Sequence, residues 1–181
     1  MDIISINTWA FKAVQPLVSP QMNVAMSLFA DSFYVVVPLL FIYLFFRNRK
    51  DAFPFIAAAV ALYIVTDIIK LIVREPRPCL NPDLSWINVV GCEGSYSFPS
   101  NHATTLTGLY FFVSGYKYLR ILYIAWLAIV LFGRVYLGAH YPTDVVAGIA
   151  VGLIVGFIIY SNRKRINDIA RPIVARVGIT V

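Results

Sequence analysis

Charge is scarce in this chain: Asp, Glu, Lys and Arg supply 13% of its 181 residues, where soluble domains carry about 25%. So little charge cannot clothe a water-exposed surface. With 60% hydrophobic residues and a mean hydropathy of +0.76, the composition indicates an integral membrane protein. Cysteine is nearly absent. The two present, Cys79 and Cys92, lie in one polar segment, which excludes a disulfide scaffold and a four-cysteine zinc site. Their spacing leaves open whether they join each other. The two histidines lack zinc-finger spacing, so a mixed cysteine–histidine zinc site is not expected either. Acidic residues are outnumbered 9 to 15 by basic ones, for a net charge of +6. Because the basic residues cluster at the ends of apolar runs, the excess reads as membrane topology and not as a nucleic-acid footprint. The opening stretch MDIISINTWAFK has no basic segment followed by an apolar one and a small-residue cleavage site, so no cleaved leader is expected. Internal repeats and low-complexity segments are lacking too.

Long apolar runs are what the chain has in abundance. They cover about residues 22–46, 52–73, 100–116, 119–136 and 142–160, each near the ~20 residues that cross ~30 Å of hydrocarbon, the third a little short. Residues 1–20 mix apolar and polar positions before Pro16 and Pro20 break them, which suits a helix lying at the interface. The expected fold is therefore all-α: a bundle of about five transmembrane helices plus an N-terminal interfacial helix, forming a single domain over 1–181 with a basic tail at 162–181. Most of the 15 basic residues fall in three places: Arg47, Arg49 and Lys50; Lys117 and Arg120; and Arg163, Lys164, Arg165, Arg171 and Arg176. The positive-inside rule makes these cytoplasmic, the C-terminus included, and turns the 74–99 and 137–141 loops outward in a cell membrane.

Against that orientation, Lys70, Arg74, Arg77 and Arg134 sit on the outer side. Charges near membrane depth are expensive. Ion pairs with Glu75, Asp83 or Glu93 would explain any one of them; a shared anion site would explain the set. Both histidines map to the same side. His102 follows Pro99 and Ser100, a proline–serine helix start whose unpaired N–H groups suit a phosphate. His140 and Asp144 are spaced i, i+4 around Pro142, where the last long helix should begin. A carboxylate holding one imidazole nitrogen fixes the tautomer and leaves the other nitrogen basic, able to attack phosphorus. Asp67 stands three residues before Lys70 as a supporting carboxylate. Trp86, Tyr96 and Phe98 would suit a lipid access route, and Gly148, Gly152 and Gly156 form small-residue steps for close helix packing.

Three segments together resemble the type 2 phosphatidic acid phosphatase superfamily of membrane lipid phosphatases. Its first signature, K-x6-R-P, is matched by KLIVREPRP from Lys70 to Pro78. Its second, P-S-G-H, is matched by PSNH from Pro99 to His102. Its third, S-R-x5-H-x3-D, is matched by GRVYLGAHYPTD over 133–144. Asn101 and Gly133 replace the usual glycine and serine. The resemblance implies a haloperoxidase-like helical core and hydrolysis of a phosphate monoester or diphosphate on a lipid, with no metal and no cofactor. In that scheme His140 is the nucleophile, Asp144 orients it, and His102 is acid and then base. Lys70, Arg77, Ser100, Asn101 and Arg134 hold the phosphate. Within the family the small size and span count look most like undecaprenyl-diphosphate phosphatases, with phosphatidylglycerophosphate or phosphatidate as alternative substrates. A non-enzymatic lipid-phosphate binder or transporter is the competing class. The motifs do not report oligomeric state.

Overall fold

A computed structural model describes residues 3–81, 84 and 92–175, so Asp83, Trp86 and Arg176 lie outside the described residues. The described chain is helical: α1 (Ile3–Val14), α2 (Pro20–Asp31), α3 (Phe33–Arg47), α4 (Arg49–Val73), α5 (Asn101–Val113), α6 (Lys117–Tyr136), α7 (Pro142–Ser161) and α8 (Arg163–Ala175). No strand occurs among the described residues.

Four stretches are long and apolar enough to cross a membrane: Pro20–Arg47, Arg49–Leu80, Lys117–Tyr136 and Pro142–Ser161. The expected first span is two helices in series. Ser32 separates them because its hydroxyl bonds back to the Phe29 carbonyl at 2.6 Å, a local bond that competes with the helical ladder. Trp126 Nε1 donates to the same hydroxyl at 2.8 Å, tying the bend to α6. The run at 100–116 becomes α5, only 13 residues long, or about 20 Å. It ends at Val113 because Ser114 turns its hydroxyl onto the Phe111 carbonyl at 2.8 Å.

That short helix is the centre of the bundle. His102, Leu106, Leu109, Phe112 and Val113 of α5 are all buried. Leu109, Phe112 and Val113 form one core with Leu40 and Leu44 of α3, Phe55, Ala58 and Leu62 of α4, and Tyr123 of α6. α7 approaches so closely that a Cβ on Gly152 would lie 2.4 Å from the Thr104 carbonyl oxygen, and one on Gly156 2.4 Å from Gly108 Cα. The small-residue steps of α7 are thus a backbone-to-backbone seam with α5. Outward, Ile64, Ile68, Ile72, Leu122, Ile154 and Phe157 are exposed, the surface expected of a bundle solvated by lipid.

α1 docks at one end of this bundle. Phe11 is fully buried against Leu84, Val135 and Tyr141, and Asn7 Nδ2 donates to Thr143 Oγ1 at 3.1 Å. At the opposite end Arg163 pairs with Asp51 at 3.4 Å. The α1 end carries the polar cluster described next.

Candidate active site

The site begins where α4 stops. Arg74, its C-cap, takes a left-handed conformation at φ 55°; a non-glycine residue there costs about 1–2 kcal/mol. That turn ends α4 and redirects the chain so that Arg77 enters the bundle. Arg74 itself is exposed and donates to the Leu71 carbonyl, outside the cluster.

Arg77 is 2% exposed and wholly engaged. Its Nε donates to the Ser95 carbonyl at 2.8 Å, and one terminal nitrogen to the Ala139 carbonyl at 2.7 Å. The other donates to Ser95 Oγ at 2.8 Å and Glu93 Oε2 at 2.7 Å. Lys70, 4% exposed, donates to the carbonyls of Tyr96 and of Ser97, the latter at 3.2 Å. The 93–97 segment is therefore laid across both cations. Cys79 and Cys92 close its base as a disulfide with Cα atoms 5.9 Å apart. Arg134, from the last turn of α6, reaches the same place and donates to Glu93 Oε1. Its Nε is buried with no hydrogen-bond partner among the described residues.

His140 precedes α7 and is 1% exposed. Its Nδ1 lies 3.5 Å from Asp144 Oδ2. That is within charge-pairing range, though Nδ1 makes no hydrogen bond among the described residues. Its Nε2 lies 3.3 Å from a terminal nitrogen of Arg77. Burial first, then the charges of Arg134, Arg77 and Lys70, hold the imidazole well below its ordinary protonation range, with Glu93 opposing. The ring is thus neutral, the form a nucleophile needs. Asp144 is fully buried and fixed twice: Ser97 Oγ donates to its Oδ2 at 2.5 Å, and the Tyr141 N–H at 2.8 Å. The latter bond closes a capping box at the start of α7.

α5 delivers the remaining groups. Ser100 is its N-cap, its hydroxyl accepting from the Ala103 N–H at 3.5 Å. The Ser100 N–H donates to the Asp144 carbonyl at 3.1 Å, fastening the α5 start to α7. Asn101 accepts from Thr105 Oγ1 at 3.1 Å. His102 is 9% exposed, its ring 4.7 Å from that of Phe33. A cavity of about 880 Å³ opens onto His140, His102, Asn101, Lys70, Arg77 and Glu93 together, with Tyr34, Tyr63 and Asp67 on its wall. Such a volume is in the range of small-molecule sites, about 300–1,000 Å³.

Every residue expected to share the site from the motifs is therefore at this end of the bundle. Lys70, Arg77, Asn101, His102 and His140 line the cavity. Arg134 joins them through Glu93, and Ser100 and Asp144 lie behind as fasteners. Sequence reasoning treated Glu93 only as a possible ion-pair partner and missed Ser95 and Ser97. Their one signal was position: a polar stretch directly before the helix start that carries His102.

The PAP2 superfamily profile matches residues 51–168. "Undecaprenyl-diphosphatase BcrC" of Bacillus subtilis is 28% identical over 181 residues, covering 93% of this chain and 88% of the relative. "Phosphatidylglycerophosphatase B" of the same organism is 28% identical over 169 residues, covering 84% and 79%. "Lipid A 4'-phosphatase" of Porphyromonas gingivalis is 30% identical over 142 residues, covering 70% of this chain; the match spans only 59% of that relative's length. Among solved structures, Aquifex aeolicus LpxE aligns with a TM-score of 0.74 at 25% identity, covering 86% of this chain and 95% of that one. The transmembrane PAP2-type phosphatidylglycerolphosphate phosphatase of Bacillus subtilis aligns at 0.72 and 22% identity, covering 90% and 87%. With its helical membrane core, its two histidines on one cavity wall beside buried cations and a profile match over most of its length, the chain belongs to the PAP2 superfamily and is a membrane lipid phosphatase, a hydrolase of phosphate esters.

Proposed function

We propose that this phosphatase works through a phosphohistidine on His140 and that its substrate is a polyprenyl diphosphate, cleaved to the monophosphate. The observation that carries the mechanism is the ring placement of His140. Nδ1 lies 3.5 Å from Asp144, Nε2 lies 3.3 Å from Arg77, and His140 lines the cavity. The Nε2 lone pair forms the N–P bond as the P–O bond to the leaving group breaks, and His102 gives a proton to the departing oxygen. His102 then takes a proton from water, whose oxygen attacks phosphorus and breaks the N–P bond, releasing inorganic phosphate. Lys70, Arg77 and Arg134 neutralise the equatorial oxygens, the main task in phosphoryl transfer, helped by N–H groups at the start of α5 near Asn101. Asp144 keeps its negative end toward Nδ1, which steadies the ring as positive charge develops on it.

Two considerations favour the diphosphate. The relative named as an undecaprenyl-diphosphatase aligns over 93% of this chain. Two buried cations on the cavity wall, Lys70 and Arg77, with buried Arg134 behind Glu93, also suit a highly charged headgroup. The phosphatidylglycerophosphatase and lipid A relatives supply the alternative substrates. We read residues 1–181 as one domain, with α1 at the interface. The basic Arg47–Lys50 and Arg163–Arg165 ends then face the cytoplasm and the cavity faces outward. Phosphate release from undecaprenyl diphosphate, phosphatidylglycerophosphate, phosphatidate and a lipid A phosphate, measured in detergent micelles, tests the substrate. Faster release from the diphosphate than from the others is expected. Release confined to one of the others would refute this choice.

A further inference from the structure

Glu93 has no part in the chemistry above, yet it holds the central position in the cation cluster. One carboxylate oxygen accepts from Arg134 and the other from Arg77 at 2.7 Å. This is a single anion bridging two guanidinium groups, the arrangement a phosphate would adopt with the same donors. The three side chains differ in freedom. Arg77 and Arg134 are 2% and 6% exposed, whereas Glu93 is 49% exposed. The carboxylate therefore comes from the open side of the cavity and can withdraw to it, while the arginines cannot follow. Arg77 would stay in place without it, since Ser95 and Ala139 hold its other nitrogens. Arg134 would gain a free terminal nitrogen beside its Nε, which has no hydrogen-bond partner among the described residues. The Cys79–Cys92 disulfide anchors the residue next to Glu93 beside the Arg77 segment, so a withdrawn carboxylate stays close at high effective concentration.

We propose that Glu93 is a resident substitute for the phosphoryl group. It fills the Arg77–Arg134 seat in the empty enzyme and is exchanged for substrate oxygens on binding. It thereby sets an affinity threshold that favours highly charged headgroups over weaker anions, the product inorganic phosphate among them. This rests on the reading of Arg77 and Arg134 as the phosphate clamp. The exchange also explains how two buried arginines are kept ionised and aligned while no substrate is bound.

Inorganic phosphate is the probe. Its dissociation constant is measured by isothermal titration on the detergent-solubilised full chain, for the parent, Glu93→Gln, Glu93→Asp and Arg134→Gln, each checked for an intact thermal unfolding transition. Glu93→Gln is expected to bind phosphate about tenfold more tightly or better, equivalent to about 1.4 kcal/mol. Removal of a merely structural residue would not tighten binding. Glu93→Asp keeps the charge but is one methylene shorter and bridges poorly. It is expected to fall between Gln and the parent, and it decides the matter should Glu93→Gln fail to fold. Arg134→Gln is expected to weaken binding. If it does so while neither Glu93 variant tightens binding, the inference fails and the clamp stands. If Arg134→Gln leaves binding unchanged, or no variant binds phosphate, the clamp reading itself fails.

Discussion

Replacing Gly152 with alanine adds one methyl group to the seam between α5 and α7. That Cβ would lie 2.4 Å from the Thr104 carbonyl oxygen, 3.0 Å from Thr107 Cβ and 3.1 Å from the Gly108 nitrogen. A comfortable C···O contact is about 3.3–3.6 Å, so the backbones must part by roughly 1 Å. The nearest atom is backbone and cannot swing aside. Overpacking of this kind costs about 1–3 kcal/mol, offset in part by the roughly 1 kcal/mol that alanine gains over glycine in a helix. The functional cost exceeds the stability cost. The seam carries the Ser100 N–H to Asp144 carbonyl bond at 3.1 Å, which registers the α5 start, and so His102, against His140. A 1 Å displacement of reacting groups costs about 10²-fold in rate. The assay is phosphate release together with thermal unfolding in one detergent, with Gly115→Ala as control because its Cβ would meet nothing within 4 Å. Gly152→Ala is expected to lose most activity and some thermal stability, and Gly115→Ala to change neither. Parental activity in Gly152→Ala would show that the seam does not position the site.

Other expectations follow from single contacts. Ser97→Ala removes the donor 2.5 Å from buried Asp144. It should cost about 1.5–3 kcal/mol in unfolding free energy and lower kcat, measured by denaturation and turnover; an unaffected kcat would show that Asp144 needs no second donor. Burial alone would raise the Glu93 pKa, but Arg134 and Arg77 bring it from 4.5 down to about 2. A depressed carboxylate pKa contributes stability that is present above 4.5 and lost as pH falls toward about 2. Over that window the unfolding temperature of the parent should fall more steeply than that of Glu93→Gln. Activity should persist in excess chelator; loss of activity restored by added divalent metal would require a different chemistry.

The place of the polar cluster was more legible in the sequence than the course of the helices. Lys70, Arg77, Ser100, His102, Arg134, His140 and Asp144 were expected together from three motifs whose spacing puts them at one membrane end, and that is where they lie. Gly148, Gly152 and Gly156 were readable because small residues one turn apart share a face. The break at Ser32 was hidden, since an apolar run reads continuous whether or not one hydroxyl bends it. The shortness of α5 was hidden likewise, as Ser114 and Gly115 barely dent the hydropathy. The 93–97 segment has no periodicity, so nothing local could show Ser97 reaching Asp144, Glu93 spanning two arginines, or Cys79 meeting Cys92. Those contacts exist only once α4, α6 and α7 converge.

Rapid acid-free quenching of a single turnover, followed by peptide mapping under conditions that preserve phosphoramidates, would capture the phosphohistidine on His140 itself. Phosphate is expected on the peptide carrying His140 in the parent, accumulating in His102→Ala if the second step is slowed, and missing in His140→Ala, which should still insert and fold. Turnover at the parental rate by His140→Ala, or a phosphate label on any other residue, would contradict that intermediate.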